Sequence, residues 1–172
     1  MPELSLASVR DEGSASECAQ LFREYGEWSS GRVVTDCGIE LSQADLDSVH
    51  ESFHAEWPKL FGPRGRLYLA TVDGNSAGVG ALKPLTEQLG EVKRMYVRPA
   101  FRGTGIGRRI LEQLIDDARE MQYEAIRLET MSYMTEAQSL YRSLGFAYIE
   151  PFESEGATMG LDKCELFMLL DL

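Results

Sequence analysis

From Leu4 to Val9 apolar and polar side chains alternate with a period of two, the pattern of a short strand. After Ser14 the apolar positions Ala15, Cys18, Ala19, Phe22 and Tyr25 recur at helical spacing, and the stretch from Trp28 to Glu40 then keeps little periodicity. Ser42, with Asp45 three residues on, reads as the N-cap of a second helix reaching about Glu56; Pro58, Gly62, Pro63 and Gly65 make a loop. Strands are predicted from Arg66 to Val72 and from Ser76 to Leu82 around the tight turn Asp73-Gly74-Asn75, and a third from Leu89 to Val97. Ile106, Ile110, Leu111, Leu114, Ile115 and Ala118 form one apolar helical stripe, with Arg108, Arg109, Glu112, Asp116 and Asp117 on the opposite side. A strand from Ala125 to Thr130, a helix from Thr135 to Leu144 stopped at Gly145, a strand from Phe146 to Phe152 and a terminal strand from Glu165 to Leu172 complete the pattern. Helices interspersed with six or seven strands, several joined by hairpins, predict a mixed α/β layer.

Composition narrows the partners. The 172 residues, 44% hydrophobic and 26% charged, are enough for one domain with a sizeable core, and no repeat or linker divides them. Seventeen Lys and Arg against 28 Asp and Glu leave a net charge of -11, which disfavours nucleic acid and anionic membrane surfaces as partners. The same charge favours a cationic small amine over an acidic metabolite as a ligand. No apolar run approaches the roughly 20 residues of a membrane-spanning helix, and the first ten residues lack the pattern of a signal peptide, so a cytoplasmic location is expected. Cys18, Cys37 and Cys164 are odd in number and widely separated, and read as buried or incidental thiols. His50 and His54 stand at i and i+4 without an evident third ligand, so a solvated or substrate-facing pair is favoured over a metal site.

The segment from Val97 to Arg108, VRPAFRGTGIGR, joins the third of the central strands to the strongest helix. Its alternate glycines Gly103, Gly105 and Gly107 let backbone amides turn toward a ligand, and the helix start adds unsatisfied donors and a positive dipole end. The combination predicts a phosphate site. A Walker A loop would need Lys and Ser or Thr after its last glycine, where Arg108 and Arg109 stand. A dinucleotide fingerprint fails at its third position, which is Arg108 or Ile110 depending on the starting glycine.

Arg102, Gly105 and Gly107, preceded by the strand Glu91-Val92-Lys93-Arg94-Met95-Tyr96-Val97 and followed about 35 residues later by Leu140-Tyr141-Arg142-Ser143-Leu144-Gly145-Phe146, make the segment from Gly90 to Phe152 resemble the catalytic core of the GCN5-related N-acetyltransferases. The resemblance implies one N-acetyltransferase domain over residues 1–172. Its mostly antiparallel mixed sheet would be splayed between the fourth and fifth strands and flanked by about four helices, with the acetyl-CoA-binding core at about 88–152. It implies that the CoA pyrophosphate lies on the amides of Gly103, Thr104, Gly105, Ile106, Gly107 and Arg108, with Arg102 shaping or charging the loop. Along Met95, Tyr96 and Val97 the backbone would hold the pantetheine arm, with the Met95 N–H receiving the thioester oxygen. Tyr141 would assist the leaving thiolate. Glu91 is the candidate base for the attacking amine, with Glu129 or ordered water as other routes. Where many relatives carry an asparagine seven positions before this tyrosine, the chain has Met134. Trp28, Phe53, Trp57 and Phe61 would wall the acceptor pocket or anchor its loops. The acceptor is expected to be a small-molecule or protein amine, no metal is expected, and the terminal strand could pair with a second copy as a homodimer. The alternatives are a non-catalytic acyl-CoA-binding module and a longer acyl-CoA donor; a nucleotide-binding oxidoreductase is more distant.

Overall fold

The computed structural model describes residues 3–42, 45, 47, 55–152 and 161–172. Strands β1 (Leu4–Ser8), β2 (Arg66–Val72), β3 (Asn75–Pro84), β4 (Leu89–Val97), β5 (Ala125–Met131), β6 (Ala147–Ile149) and β7 (Glu165–Asp171) form one sheet in the order β1-β2-β3-β4-β5-β7-β6. Every neighbouring pair is antiparallel except β4 with β5, which is parallel. Helices are α1 (Glu12–Arg32), α2, described over residues 55–60, α3 (Ile106–Glu120) and α4 (Thr135–Ser143). The expected mixed α/β layer is thus present with seven strands.

Side-chain alternation along the strands decides which helix covers which face. Tyr68, Ala70, Leu82 and Val92 point to one side and pack against the apolar stripe of α3. Leu67, Leu69, Val79 and Ala81 point to the other and pack against Cys18, Leu21 and Phe22 of α1. α1 is longer than its periodicity suggests. Asp11, rather than Ser14, is its N-cap, accepting the Ser14 N–H at 3.0 Å, and the helix runs through Trp28 before a π-turn at Val33–Cys37 ends at left-handed Gly38. Asp117 is not on a solvated face of α3: it is buried and accepts a hydrogen bond from the Tyr68 hydroxyl at 2.7 Å.

One further expectation is corrected. Cys37 and Cys164, 127 residues apart, form a disulfide with their Cα atoms 6.1 Å apart; only Cys18 is a buried free thiol. The bridge ties the π-turn after α1 to the start of β7, a pairing that spacing alone does not reveal. β7, the terminal strand, is flanked by β5 along its length and by β6 over Phe167 to Leu169. Among the described residues the sheet edges are β1 and β6.

What positions the site is an irregularity in β4. Val79 pairs with Tyr96 and Ala81 with Lys93, so β4 carries one residue more than β3 between those rungs. The surplus is absorbed at Arg94, which adopts φ 60°, a left-handed conformation uncommon for a residue with a Cβ. Beyond it β4 leaves β5: their parallel ladder ends at Val92 with Leu128, while β4 continues to Val97 against β3.

Gly80 lies opposite the bulge, and a Cβ there would stand 2.5 Å from Ile110 Cγ2 and 2.6 Å from Met95 Sδ. Gly80→Ala should therefore lower stability by about 1–3 kcal/mol, measured by urea unfolding, because it overpacks the seam between α3 and the bulge. An unchanged midpoint would show that the seam has slack.

Candidate active site

A cleft of about 1100 Å³ opens where β4 and β5 part, bounded by α1, the turn before α3, and α4. Its phosphate-binding end is built by the chain leaving β4. Arg98 anchors this exit: its N–H donates to the Ala77 carbonyl at 2.9 Å, and its guanidinium holds Glu24 at 2.8 and 2.7 Å and the Ser76 carbonyl at 2.6 Å. Those hydrogen bonds from Arg98 hold the Glu24 carboxyl below the usual range. A 3-10 turn at Pro99–Phe101 follows, and Gly103 and Gly105 take φ 76° and 87°.

Gly105 is the N-cap of α3 and has no side chain with which to cap it. The first helical bond runs from the Arg109 N–H to the Gly105 carbonyl, so the amides of Ile106, Gly107 and Arg108 have no acceptor within the helix. A Cβ built on Gly103 or Gly105 would meet nothing within 4 Å, and both glycines line the cleft together with Ile106, Gly107 and Arg108. Thr104 braces the loop from behind by donating to the Phe101 carbonyl at 2.6 Å. Arg102 folds back, giving its Nε–H to the Val97 carbonyl at 3.0 Å, and its guanidinium lies 4.9 Å from the Trp28 ring centroid. Arg108 reaches Ser143 Oγ at 2.6 Å and thereby ties the start of α3 to the end of α4. Uncapped amides at the cleft and a β4 edge that has parted from β5 as it leads into the turn make a cradle suited to a diphosphate on a linear arm. The residues present therefore fit CoA.

The other end of the cleft is aromatic and charged. Tyr141 is buried on α4, its ring 5.9 Å from Phe146, and burial pushes its phenol pKa up. Tyr25 of α1 faces the same space. Burial first, and then the neighbouring Tyr133, push its pKa up to about 12. Trp28, Ser29 and Tyr133 continue this wall, with the Ser29 and Tyr133 hydroxyls 3.1 Å apart. Sequence periodicity marked Tyr25 only as a helical apolar position, and Tyr133 carried no signal, because both owe their place to the packing of α1 against the loop after β5. Of the aromatic wall candidates, Trp28 lines the cleft; Trp57 and Phe61 pack on each other with centroids 5.3 Å apart, and Phe53, His50 and His54 lie outside the described residues.

Met95, Tyr96, Val97, Arg102, Gly103, Gly105, Ile106, Gly107, Arg108 and Tyr141 all border the cleft. Glu91 does not. It is 2% exposed, with Lys83 Nζ at 3.4 Å, Arg127 Nε at 3.8 Å and Lys93 Nζ at 3.9 Å. Glu91 is thus enclosed among cations and set back from the cleft surface, so it could reach an attacking amine only through an intermediary. Glu129, two residues beyond Arg127 on the same face of β5, does line the cleft. Met134 is the N-cap of α4 and offers no side-chain cap; its sulfur is 3.8 Å from Thr130 Oγ1. The loop before α4 is closed instead by Gln138, whose amide donates to the Met131 and Ser132 carbonyls at 2.8 and 3.1 Å. Among the described residues no cluster of His, Cys, Asp and Glu could hold a metal ion, and no helix is long and apolar enough to cross a membrane.

With both phenol pKa values raised above their ordinary 10.0, each side chain remains a hydrogen-bond donor throughout the neutral and mildly alkaline range. Spectrophotometric titration of the wild type minus Tyr25→Phe, and minus Tyr141→Phe, should give difference steps above about pH 11. A step near pH 10 in either curve would contradict the burial of that hydroxyl.

Comparison with known proteins agrees with this geometry. A model of the acetyltransferase (GNAT) family matches residues 20–146. The N-acetyltransferase YsnE of Bacillus subtilis is 36% identical over 140 residues, 80% of this chain and 90% of its own length. The IAA acetyltransferase of Azospirillum brasilense is 43% identical over 125 residues, 72% of this chain and 79% of its own. Among solved structures, the Salmonella typhimurium acetyltransferase yncA, determined with its cofactor acetyl-CoA, matches with a TM-score of 0.65 at 20% identity, covering 98% of this chain and 93% of that one.

Proposed function

The chain belongs to the GNAT family of acetyltransferases, and from that premise we propose that it moves acetyl from acetyl-CoA to the amine of an acceptor held between α1, β4 and β5, acting as one domain over residues 1–172 with its donor-binding core at about 88–152. The observation that carries this reading is the continuity of the β4 edge, which leaves β5 beyond Val92 and runs on to Val97 along the cleft, with the uncapped amides of residues 106–108. The donor found in the Salmonella neighbour is extended to this chain on that fit.

When bound, acetyl-CoA supplies the activated acyl group as a thioester. Everything else is done by the chain. The amides from Gly103 to Arg108 bind the diphosphate, and Arg102 stiffens their loop through its bond to Val97. The backbone of Met95, Tyr96 and Val97 aligns the arm as a neighbouring strand would, and the Met95 N–H stabilises negative charge on the carbonyl oxygen. Glu129 takes a proton from the acceptor ammonium. The freed nitrogen then bonds to the acetyl carbon as the carbon–sulfur bond breaks, and the bond's electron pair goes to sulfur. Tyr141 gives sulfur its proton, and the second proton lost by the nitrogen restores the phenol. The sum is an amide, a free thiol and one proton released. Holding both reactants in one cleft supplies much of the acceleration.

Gly107 offers a clean test, because a Cβ there would make only ordinary contacts, 3.5 Å to Leu140 and 3.7 Å to Val97, while filling space at the cleft wall. Calorimetric titration should find acetyl-CoA bound by the wild type and not by a folded Gly107→Val variant; equal binding by both would place the donor elsewhere. Tyr141→Phe should lower kcat by about 10²–10⁴-fold with little change in acetyl-CoA affinity. A loss shared equally between affinity and turnover would remove its acid role.

A further inference from the structure

The disulfide between Cys37 and Cys164 lies outside the two large apolar clusters that hold the sheet to its helices, and stands behind one wall of the cleft. Cys37 ends the π-turn that follows α1, and Cys164 lies between a 3-10 turn at Leu161–Lys163 and β7. Val33, Met131 and Cys164 are buried together there, with Tyr133, Met134 and Leu161 packed against them. All of these except Cys164 also line the cleft.

Three segments therefore meet at the bridge. The Ser132 N–H donates to the Cys164 carbonyl at 2.7 Å, so the loop after β5 hangs on the same residue. That loop meets α1 through the hydroxyls of Ser29 and Tyr133, 3.1 Å apart, and through the Arg32 guanidinium, 5.0 Å from the Tyr133 ring centroid. Each of these contacts is modest by itself, and the covalent bond among them holds the three segments to one arrangement.

Elsewhere the same elements are held without it. α1 packs Cys18, Leu21 and Phe22 against the sheet, and β7 pairs with β5 from Glu165 to Asp171. Opening the bridge thus releases the wall and leaves the sheet in place. The two sulfurs also differ in access, since Cys37 is half-buried whereas Cys164 is 7% exposed. Cys18 takes no part in exchange: it is fully buried, and burial first, then Glu17, push its thiol pKa up to about 12.

We propose that Cys37 and Cys164 are a reversible thiol–disulfide switch, opened by a low-molecular-weight thiol such as glutathione and closed by the corresponding disulfide, that sets how firmly the acceptor side of the cleft is braced. The inference rests on the acetyl-transfer reading for what that side holds. In opening, a thiolate attacks Cys37 Sγ; the sulfur–sulfur bond breaks and its electron pair goes to Cys164 Sγ, which takes a proton as its apolar surroundings favour. A second thiolate displaces Cys37 from the mixed disulfide, and Cys37 takes the second proton. The bridge gains two electrons while two small thiols are oxidised to one disulfide, and closing is the reverse.

The test equilibrates the whole chain with reduced and oxidised glutathione, from excess of one to excess of the other, and counts thiols by alkylation in denaturant and mass spectrometry. One alkylated cysteine marks the closed form and three mark the open one. Both forms should be populated within the series. By NMR, amide exchange at Ser132 and at residues 33–37 should be about ten-fold or more faster in the open form, with Leu69 and Val79 unchanged. After gel filtration under nitrogen the two forms should bind acetyl-CoA within about two-fold of each other. CoA release with propylamine, benzylamine, spermidine, alanine and lysine, followed by chromatography, should differ between the forms by about five-fold or more in kcat/KM for at least one amine.

A bridge that stays closed under about a thousand-fold excess of reduced glutathione would overturn the switch. So would equal exchange at Ser132 and residues 33–37 in the two forms, equal rates for every amine that reacts, or loss of protection at Leu69 and Val79, which would show that the bridge holds the fold. Cys37→Ser combined with Cys164→Ser should behave as the open form at every ratio, and the wild-type series decides where that variant does not fold. No amine reacting in either form counts against the acetyl-transfer reading and leaves the thiol count and exchange rates to decide the switch.

Discussion

Between Lys93 and Tyr96 the fourth strand has one residue too many for the strand beside it, and the backbone takes up the excess in left-handed Arg94. That local misfit turns β4 away from β5 while β3 still holds it. The sheet opens at Val92 and Leu128, and beyond them the β4 edge that borders the cleft no longer has β5 as its ladder partner. A ligand with alternating amides is a natural partner for such an edge. The bulge is tolerated because its surroundings fix it: Gly80 leaves room opposite, α3 packs Ile110 against the seam, and Glu56 grips the Arg94 side chain.

From that opening the other parts of the site follow in space. The same strand runs directly into the glycine turn, whose two left-handed residues aim amides forward and leave α3 uncapped. α1, lengthened past its periodic stretch, brings Tyr25 and Trp28 over the gap. α4 brings Tyr141 from the far side, and the Arg108 to Ser143 hydrogen bond keeps the two helices in step. The disulfide from Cys37 to Cys164 fixes the outer wall, where Val33, Met131 and Cys164 form a small apolar cluster.

Sequence reasoning reached the parts of this arrangement that are local. The stripe from Ile106 to Ala118, the hairpin at Asp73-Gly74 and the glycine turn each carry their physics within a dozen residues, and all stand where they were expected. The order of elements and the second motif around Tyr141 then made the sheet and its splay legible through family resemblance. What stayed hidden depends on register between distant strands. Nothing near Glu91 along the chain announces Lys83 on one side of it and Arg127 on the other. Asp117 looked solvated until Tyr68, 49 residues away, was found bonded to it. The cysteine pair, 127 residues apart, had no local signature at all.

The central claim is that the β4 edge beyond Val92 accepts acetyl-CoA as though it were another strand. Amide hydrogen exchange followed by NMR, with and without acetyl-CoA, tests it at single residues. The account predicts that exchange at the Met95 and Val97 N–H groups slows by about ten-fold or more on binding, as each gains a hydrogen-bond partner, together with the amides of Gly105 to Arg108. Binding that protects the turn but leaves Met95 and Val97 exchanging as before would contradict it.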